Sequence, residues 1–209
     1  MSLEGHICKQ PKDILTDDEL DRIHLSTLRV LGDVGVVFGN DMALGILERG
    51  GCEVDRTSGR VRFPAQLVEE CIEQCPSQFT IRARHHDYNL EIGGSRLYFQ
   101  SHPGLYIADL ETGDRREASL KDIGPLTRLV DAMDEIHLSI TPTSTISDKP
   151  PVVMIEWVTA EQMRNTQKVT AAGVFQGCAR WVIEMAQVTD QQVYGQINPV
   201  SPLNYPRDQ

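Results

Sequence analysis

The chain has 209 residues, enough for one large domain or two small ones, and 40% of them are hydrophobic, which allows an ordinary core. Its net charge of −10 disfavours sequence-independent binding to phosphate backbones, so we expect no nucleic-acid partner. No stretch approaches the roughly 18 apolar residues of a membrane span, and residues 1–9 lack the apolar segment of a signal peptide. We therefore expect a cytoplasmic protein with no membrane partner.

The sequence contains five cysteines, an odd number, and no C-x-x-C pair. Cys71 and Cys75 lie four residues apart in a helical pattern, which fits two zinc ligands or a buried pair of small apolar side chains. We favour the buried pair, because reduced structural thiols are typical of a reducing compartment.

The first half of the chain predicts short helices and hairpins. Thr16 and Glu19 form a capping box that begins a helix, and Gly35 is its expected end. Asn40 caps a second helix, residues 52–55 and 60–63 form a hairpin, and Pro64 begins a third helix that ends before Pro76. Short strands are then expected at 79–84, 89–92, 97–101 and 105–110.

After Ser119 the pattern changes to alternating helices and strands. A helix containing Leu126 and Met133, with Pro125 in its first turn, is followed by predicted strands at 137–141, 168–172 and 194–198 and helices at 154–166 and 178–188. Units of about 30 residues are typical of a parallel sheet or a (β/α) barrel. We place a soft boundary near Ala118, between domains 1–118 and 119–209.

Chemistry in such barrels gathers at the carboxyl ends of the strands. Those ends here carry Thr141 and Thr143, then residues 173–176, then Asn198 and Ser201. Such neutral polar groups can orient a small ligand. The alternative, which we favour for the hydroxyls, is that they satisfy backbone groups in loops.

The histidines and aromatic residues leave further alternatives open. His85 and His86 suggest a metal site, but no Asp/Glu/His spacing around them matches a known ligand set, so we expect exposure and no metal. His102 precedes a sharp turn and points into a cleft or into solvent. An aromatic box for a quaternary ammonium, or ordinary core packing, would account for five aromatic residues: Tyr98, Phe99, Tyr106, Phe175 and Trp181.

Several segments, in this order and spacing, resemble the trimethylamine methyltransferase family. The most specific is IADLETGDRR at 107–116, which continues into SLKD at 119–122 and LVDAM at 129–133. The others are LGDVGV at 31–36, GCEVD at 51–55, GRVRFP at 59–64, the Cys75-Pro76 pair, NTQK at 165–168 and NPVSPL at 198–203. The similarity covers roughly residues 12–205.

The resemblance implies an α/β fold in which an N-terminal α+β elaboration is followed by the first part of an incomplete (β/α)8 TIM barrel. It also implies a methyltransferase that moves a methyl group from a small methylated amine, such as trimethylamine or glycine betaine, to a cognate corrinoid protein, as in methanogenesis. Cobalamin then sits on that partner, and no cofactor binds this chain directly.

The substrate-binding candidates are His102, Thr141, Thr143, Phe175, Asn198 and Ser201, and no catalytic residue is assigned. Family members are about twice as long or more, so we expect a fragment, a truncated product or half of a split protein. An exposed strand edge then invites association, including a homo-oligomer. The alternatives are a catalytically inactive interaction module of the same fold and a barrel enzyme with different chemistry.

Overall fold

The computed structural model describes residues 5–7, 14–104, 106–143, 145–173, 177–196 and 202–205. Within them the helices are α1 (Asp17–Arg29), α2 (Asp41–Arg49), α3 (Ala65–Glu73), α4 (Leu120–Asp131), α5 (Met154–Asn165) and α6 (Cys178–Val188). The strands are β1 (His6–Ile7), β2 (Val36–Phe38), β3 (Glu53–Asp55), β4 (Arg60–Arg62), β5 (Phe79–Ile81), β6 (Leu90–Ile92), β7 (Arg96–Leu97), β8 (Ile107–Ala108), β9 (Arg115–Arg116), β10 (Leu138–Ile140), β11 (Val169–Gly173), β12 (Val193–Gln196) and β13 (Asn204–Tyr205). No helix in these ranges has both the length and the apolar character needed to cross a bilayer.

Contacts divide this mixed α/β chain into two compact units. One comprises Met1–Lys9 and Gln78–Gln196, and the other comprises Gln10–Ser77 and Ile197–Gln209. The contacts thus place residues 78–196 together in one unit, while the proposed division into 1–118 and 119–209 stays a prediction.

The unit that contains residues 10–77 is built on a four-stranded sheet in the order β13-β2-β4-β3. The predicted capping box begins α1: the Thr16 amide donates to Glu19 Oε2 at 2.8 Å, and the Glu19 amide donates to Thr16 Oγ1 at 3.3 Å. A π-helical turn, Val30–Val34, continues α1 and ends at Gly35, as predicted. Gly35 has φ 71°, and a Cβ there would lie 2.4 Å from the Val61 carbonyl oxygen, so only glycine fits.

The core of this unit lies between α2 and the β3–β4 hairpin. Leu44, Cys52 and Val61 are buried, with Phe38 and Phe63 packed against them. The expected burial of Cys71 and Cys75 is wrong: both are exposed on or just after α3. Helix α3 instead presents Leu67 to this core, which leaves the cysteines on the solvent side.

The other unit contains a parallel sheet in the order β10-β11-β12, as the alternation of helices and strands predicts. Helix α5 connects β10 to β11, and α6 connects β11 to β12. Leu138 is the register partner of Val169, and Ala171 that of Tyr194. The described strands form an open sheet, and they do not close into a barrel.

The two faces of this sheet differ in character. Leu138, Val169 and Ala171 face an apolar cluster that includes Ile81 and Leu90 of the β5–β6 hairpin. Side chains alternate along a strand, so the intervening residues Ser139 and Thr170 face the opposite way, and Ser139 contacts Gln162 of α5.

A buried ammonium group joins the end of α4 to the start of β11. Lys168 is 1% exposed, and its Nζ donates to the carbonyl oxygens of Val130 at 2.8 Å, Met133 at 2.6 Å and Ile136 at 2.7 Å. Carbonyl groups at a helix end lack partners within the helix, and here a cation satisfies them. Burial lowers the pKa of Lys168 from its ordinary value, while the neighbouring carboxylates, Asp131 first among them, act in the opposite direction.

The start of α4 differs from the prediction. The helix begins at Leu120, so Pro125 lies inside it and not in its first turn. The Ser119 amide and hydroxyl both donate to Asp122 Oδ2, at 2.9 and 2.7 Å, and Arg116 donates to both Asp122 oxygens, at 2.8 and 2.7 Å. These contacts begin the helix five residues before the proline. The Arg116 guanidinium first, with Ser119, holds the pKa of Asp122 well below its usual range.

Replacing Lys168 with Met should lower the free energy of unfolding by about 2–4 kcal/mol, because three carbonyl groups lose the hydrogen bonds from its buried ammonium. Urea unfolding followed by circular dichroism measures the change. Lys121→Met on the exposed side of α4 is the matched control, with an expected change within about 0.5 kcal/mol. Equal stability of the two variants would contradict the proposed role of the ammonium.

Asp122→Asn should lower the free energy of unfolding at pH 7 by about 1–3 kcal/mol, since a bidentate charge-assisted pair is lost. The folded pKa of Asp122 lies below its unfolded value, so its contribution is complete above the unfolded pKa and is lost as the pH falls through the folded pKa. The difference between the two proteins should therefore shrink below about pH 4. Asp114→Asn, at an exposed position, is the control; a pH-independent difference for Asp122→Asn would argue against this linkage.

Candidate functional site

The carboxyl edge of the parallel sheet brings three predicted site residues together. Residues 99–104 run parallel to β10 on the side away from β11, with bridges from Gln100 to Leu138 and from Gly104 to Thr143. The Gly104 amide donates to the Pro142 carbonyl at 3.0 Å. His102 therefore lies in the segment beside the one that carries Thr141 and Thr143.

A serine side chain attaches this segment to β10. Ser101 Oγ donates to the Ile140 carbonyl at 3.1 Å and accepts a hydrogen bond from the Ile140 amide at 2.9 Å. The Ser101 amide also donates to the Leu138 carbonyl at 3.2 Å. The hydroxyl thus takes the place of the backbone groups that a regular neighbouring strand would offer to Ile140. No pattern in the sequence distinguishes Ser101 from other loop serines, and it was not predicted.

The two threonine hydroxyls bind backbone groups. Thr141 Oγ1 donates to the Thr143 carbonyl at 3.1 Å. Thr143 is buried, and its Oγ1 donates to the Thr145 carbonyl at 2.8 Å and accepts a hydrogen bond from the Thr145 amide at 3.3 Å. These contacts match the favoured alternative, in which the hydroxyls satisfy loop backbone groups. Their role toward a ligand stays a prediction.

His102 is exposed at this edge, and its Nδ1 lies 3.0 Å from the Pro103 carbonyl oxygen. A carbonyl only accepts hydrogen bonds, so in the neutral ring this contact places the proton on Nδ1 and makes Nε2 an acceptor. His102 therefore presents a polar group toward solvent at the carboxyl edge. This geometry suits contact with a ligand that approaches the sheet from that side.

The remaining predicted positions follow the neighbouring strands. Gly173, the last residue of β11, is the register partner of Gln196, the last residue of β12. The chain leaves the same edge after both of them. The predicted residues Phe175, Asn198 and Ser201 lie outside the described residues.

Three of the aromatic residues considered for a box lie on two different segments, Tyr98 and Phe99 on one and Trp181 on the other. Tyr98 and Phe99 lie at the amino end of β10, where their rings contact the buried His137 with centroids 5.3 and 6.3 Å away. Trp181 lies on α6, is half exposed and lines an apolar groove of about 840 Å³ together with Trp157 of α5. These rings therefore do not form one box. Tyr98 has a packing role in the apolar cluster of the sheet.

A buried polar group under α5 was also missed from the sequence. Gln162 Nε2 donates to the Ser139 carbonyl at 2.7 Å and to Ser139 Oγ at 3.1 Å. Gln162 Oε1 and the hydroxyl of Thr170, the register partner of Ser139, make no hydrogen bond within the described part of the chain. The sequence signal is one polar residue within each of two otherwise apolar strands, Ser139 in β10 and Thr170 in β11. The group lies between helix and sheet, so we assign it to packing.

Comparison with known proteins identifies a family and relatives that match most of the chain. The sequence model of the family described as trimethylamine methyltransferase (MTTB) matches residues 5–207. A trimethylamine methyltransferase of Desulfitobacterium hafniense (strain DSM 10664 / DCB-2) is 33% identical over 161 residues, which are 76% of this chain and 32% of that protein.

Two further relatives have related descriptions. A glycine betaine methyltransferase of Desulfitobacterium hafniense (strain Y51) is 30% identical over 157 residues, 75% of this chain and 32% of that protein. A trimethylamine methyltransferase of Methanosarcina barkeri (strain Fusaro / DSM 804) is 29% identical over 136 residues, 63% of this chain and 28% of that protein. The chain thus spans about a third of the length of the curated relatives it matches.

Ser101→Ala should detach the segment that carries His102, because both hydrogen bonds between Ser101 Oγ and Ile140 are lost. We expect a loss of about 1–2 kcal/mol in unfolding free energy and faster hydrogen exchange at the Ile140 amide. Ser95→Ala, at an exposed position in the same unit, should change neither quantity. Unchanged protection of Ile140 in Ser101→Ala would show that the hydroxyl does not hold this edge.

Proposed function

The chain belongs to the trimethylamine methyltransferase family, and we propose that it takes part in moving a methyl group from a methylated amine to a corrinoid held by a partner protein. The observation that carries this proposal is the family match over residues 5–207, which includes the sheet and its carboxyl edge. The substrate class comes from relatives described as acting on trimethylamine and on glycine betaine.

The proposed scaffold is the opening arc of a (β/α)8 barrel. Three observations support it: β10, β11 and β12 are parallel and adjacent, helices α5 and α6 connect them in order, and residues 99–104 add a fourth parallel segment beside β10. Such an arc places its site at the carboxyl ends of the strands. His102, Thr141 and Thr143 lie at that edge, and we propose that they line the amine site.

The chemistry of the substrate fits this polar edge. A quaternary ammonium has no N–H group, and its positive charge already makes the departing tertiary amine a neutral leaving group. For a quaternary substrate the protein therefore needs to hold the substrate and exclude water. Trimethylamine reacts in the same way when it is bound as protonated trimethylammonium, from which neutral dimethylamine leaves. In this proposal the bonds between the threonine hydroxyls and the backbone fix the shape of the loop, and the lone pair of His102 Nε2 faces the positive charge of the ammonium.

The corrinoid supplies the nucleophilic cobalt that takes the methyl group as the carbon–nitrogen bond breaks. The partner must therefore reach the same edge of the sheet that holds the amine. His102 and Gly104 are exposed there, which leaves room for a partner protein to approach. Phe175, Asn198 and Ser201 stay predicted substrate-binding residues from the sequence.

A chimera tests both the activity and the site. Residues 5–207 of this chain replace the matching segment of the Desulfitobacterium hafniense trimethylamine methyltransferase, and the product is assayed with a corrinoid protein and either trimethylamine or glycine betaine. We expect amine-dependent change in the corrinoid absorption spectrum. His102→Ala in the chimera should lower kcat/KM about ten-fold, the loss of one polar contact, while His24→Ala should not.

The outcome also separates the two hypotheses of function. A folded chimera that binds the corrinoid protein but transfers no methyl group from either amine would support the inactive interaction module and contradict the proposal. Equal activity of His102→Ala and His24→Ala would retain methyl transfer but remove His102 from the amine site.

A further inference from the structure

A cluster of three metal-binding side chains lies on the turn that connects β5 to β6. One ligand atom from each of His85, His86 and Asp87 lies within 4.8 Å of the others, the one such cluster among the described residues. His86 Nε2 is 3.0 Å from Asp87 Oδ1, and His85 Nδ1 is 3.8 Å from Asp87 Oδ2. The two imidazole rings stack with their centroids 4.7 Å apart.

The backbone of this turn is already folded around the cluster. Residues His86–Tyr88 form a 3₁₀ turn, and the Tyr88 amide donates to the His85 carbonyl at 3.0 Å. The Ala83 amide donates to Asn89 Oδ1 at 2.9 Å, which closes the turn from its other side. The backbone that carries the three ligands is therefore ordered, and side-chain rotations alone can bring the ligand atoms together.

The spacing and the donor types suit zinc. A tetrahedral zinc ion with bonds of about 2.0–2.2 Å holds its ligand atoms about 3.3–3.5 Å apart. The observed distances are 3.0 Å from His86 Nε2 to Asp87 Oδ1 and 3.8 Å from His85 Nδ1 to Asp87 Oδ2. One atom from each residue lies within 4.8 Å of the others, so side-chain rotations of about an ångström bring the three to zinc-binding spacing. Two imidazole nitrogens and one carboxylate oxygen form a common three-ligand zinc set, in which water takes the fourth position. Calcium and magnesium prefer oxygen ligands alone, so this cluster does not suit them.

We propose that His85, His86 and Asp87 bind one divalent transition-metal ion of the zinc type at this exposed turn. His85 Nδ1 now accepts a long hydrogen bond of 3.4 Å from the Asp87 amide, and coordination replaces that weak contact. The spacing along the sequence did not indicate this site, because its third ligand is the adjacent Asp87.

The bound ion has a structural consequence. The turn lies between two strands, β5 and β6, that cover the apolar face of the parallel sheet, and the His85 amide lies 3.4 Å from the Gln167 carbonyl just before β11. A metal bound to three consecutive residues restricts the conformations of the turn, and it thereby stabilises the folded hairpin. Coordination needs deprotonated imidazole nitrogens, so the affinity falls as the solution is acidified.

Isothermal titration of the full chain with ZnCl2 tests the proposal. We expect one equivalent to bind, and His86→Ala or Asp87→Asn to weaken binding on the order of ten- to hundred-fold. His86 is 82% exposed and Asp87→Asn keeps the side-chain size, so both variants should fold, which circular dichroism checks. Zinc should also raise the unfolding temperature of the wild type more than that of His86→Ala.

Two controls separate this site from other ligands on the chain. His24→Ala removes a histidine that contacts one carboxylate, Glu69, at 2.7 Å and belongs to no three-residue cluster, so zinc binding should not change. Cys71→Ser removes an exposed thiol four residues from Cys75, and the binding that depends on His86 should persist. The proposal is overturned if the wild type binds no zinc, or if Cys71→Ser abolishes binding while His86→Ala and Asp87→Asn leave it intact.

Discussion

The ammonium of Lys168 holds the end of α4 against the start of β11, and the geometry of the parallel sheet depends on this joint. Its three carbonyl acceptors come from the last turn of α4 and from the connection that leads to β10. A second tie lies beside it, since Asp131 accepts from Thr166 Oγ1 at 2.6 Å and from the Gln167 amide at 3.0 Å. Because Lys168 directly precedes the central strand β11, these contacts hold the start of that strand beside the connection that leads to β10.

The two faces of this sheet are stabilised differently. Toward the β5–β6 hairpin, side chains such as Leu138 and Val169 bury apolar surface, which is the main favourable term. Toward α5, the contact between Gln162 and Ser139 is polar and fully buried. Such polar contacts add little net stability but penalise any register that leaves them unpaired, so they favour one alignment of helix and strand.

Local sequence signals predicted where the helices and strands lie better than they predicted which side chains are buried or hydrogen-bonded. The boundaries of α6 at Cys178 and Val188 match the periodicity, and the parallel order explains why Thr141 and His102 share one edge. The start of α4 was missed, because the contacts of Asp122 outweigh the proline signal. Exposure of Cys71 and the function of Ser101 could not be read from spacing, since both depend on which neighbouring element covers or accepts the side chain.

The attachment of residues 99–104 bears on how the candidate site works. Strands β10, β11 and β12 are joined by a regular backbone ladder, whereas the segment with His102 is held to β10 by two isolated bridges, a few backbone hydrogen bonds and the Ser101 hydroxyl. It can therefore open locally at a lower free energy than the sheet itself. Under the proposed function the site would admit an amine and then meet a corrinoid partner, and a fixed sheet beside an adjustable segment would serve both steps. The ladder keeps the strand ends in place, and the weakly held segment can adjust to what approaches.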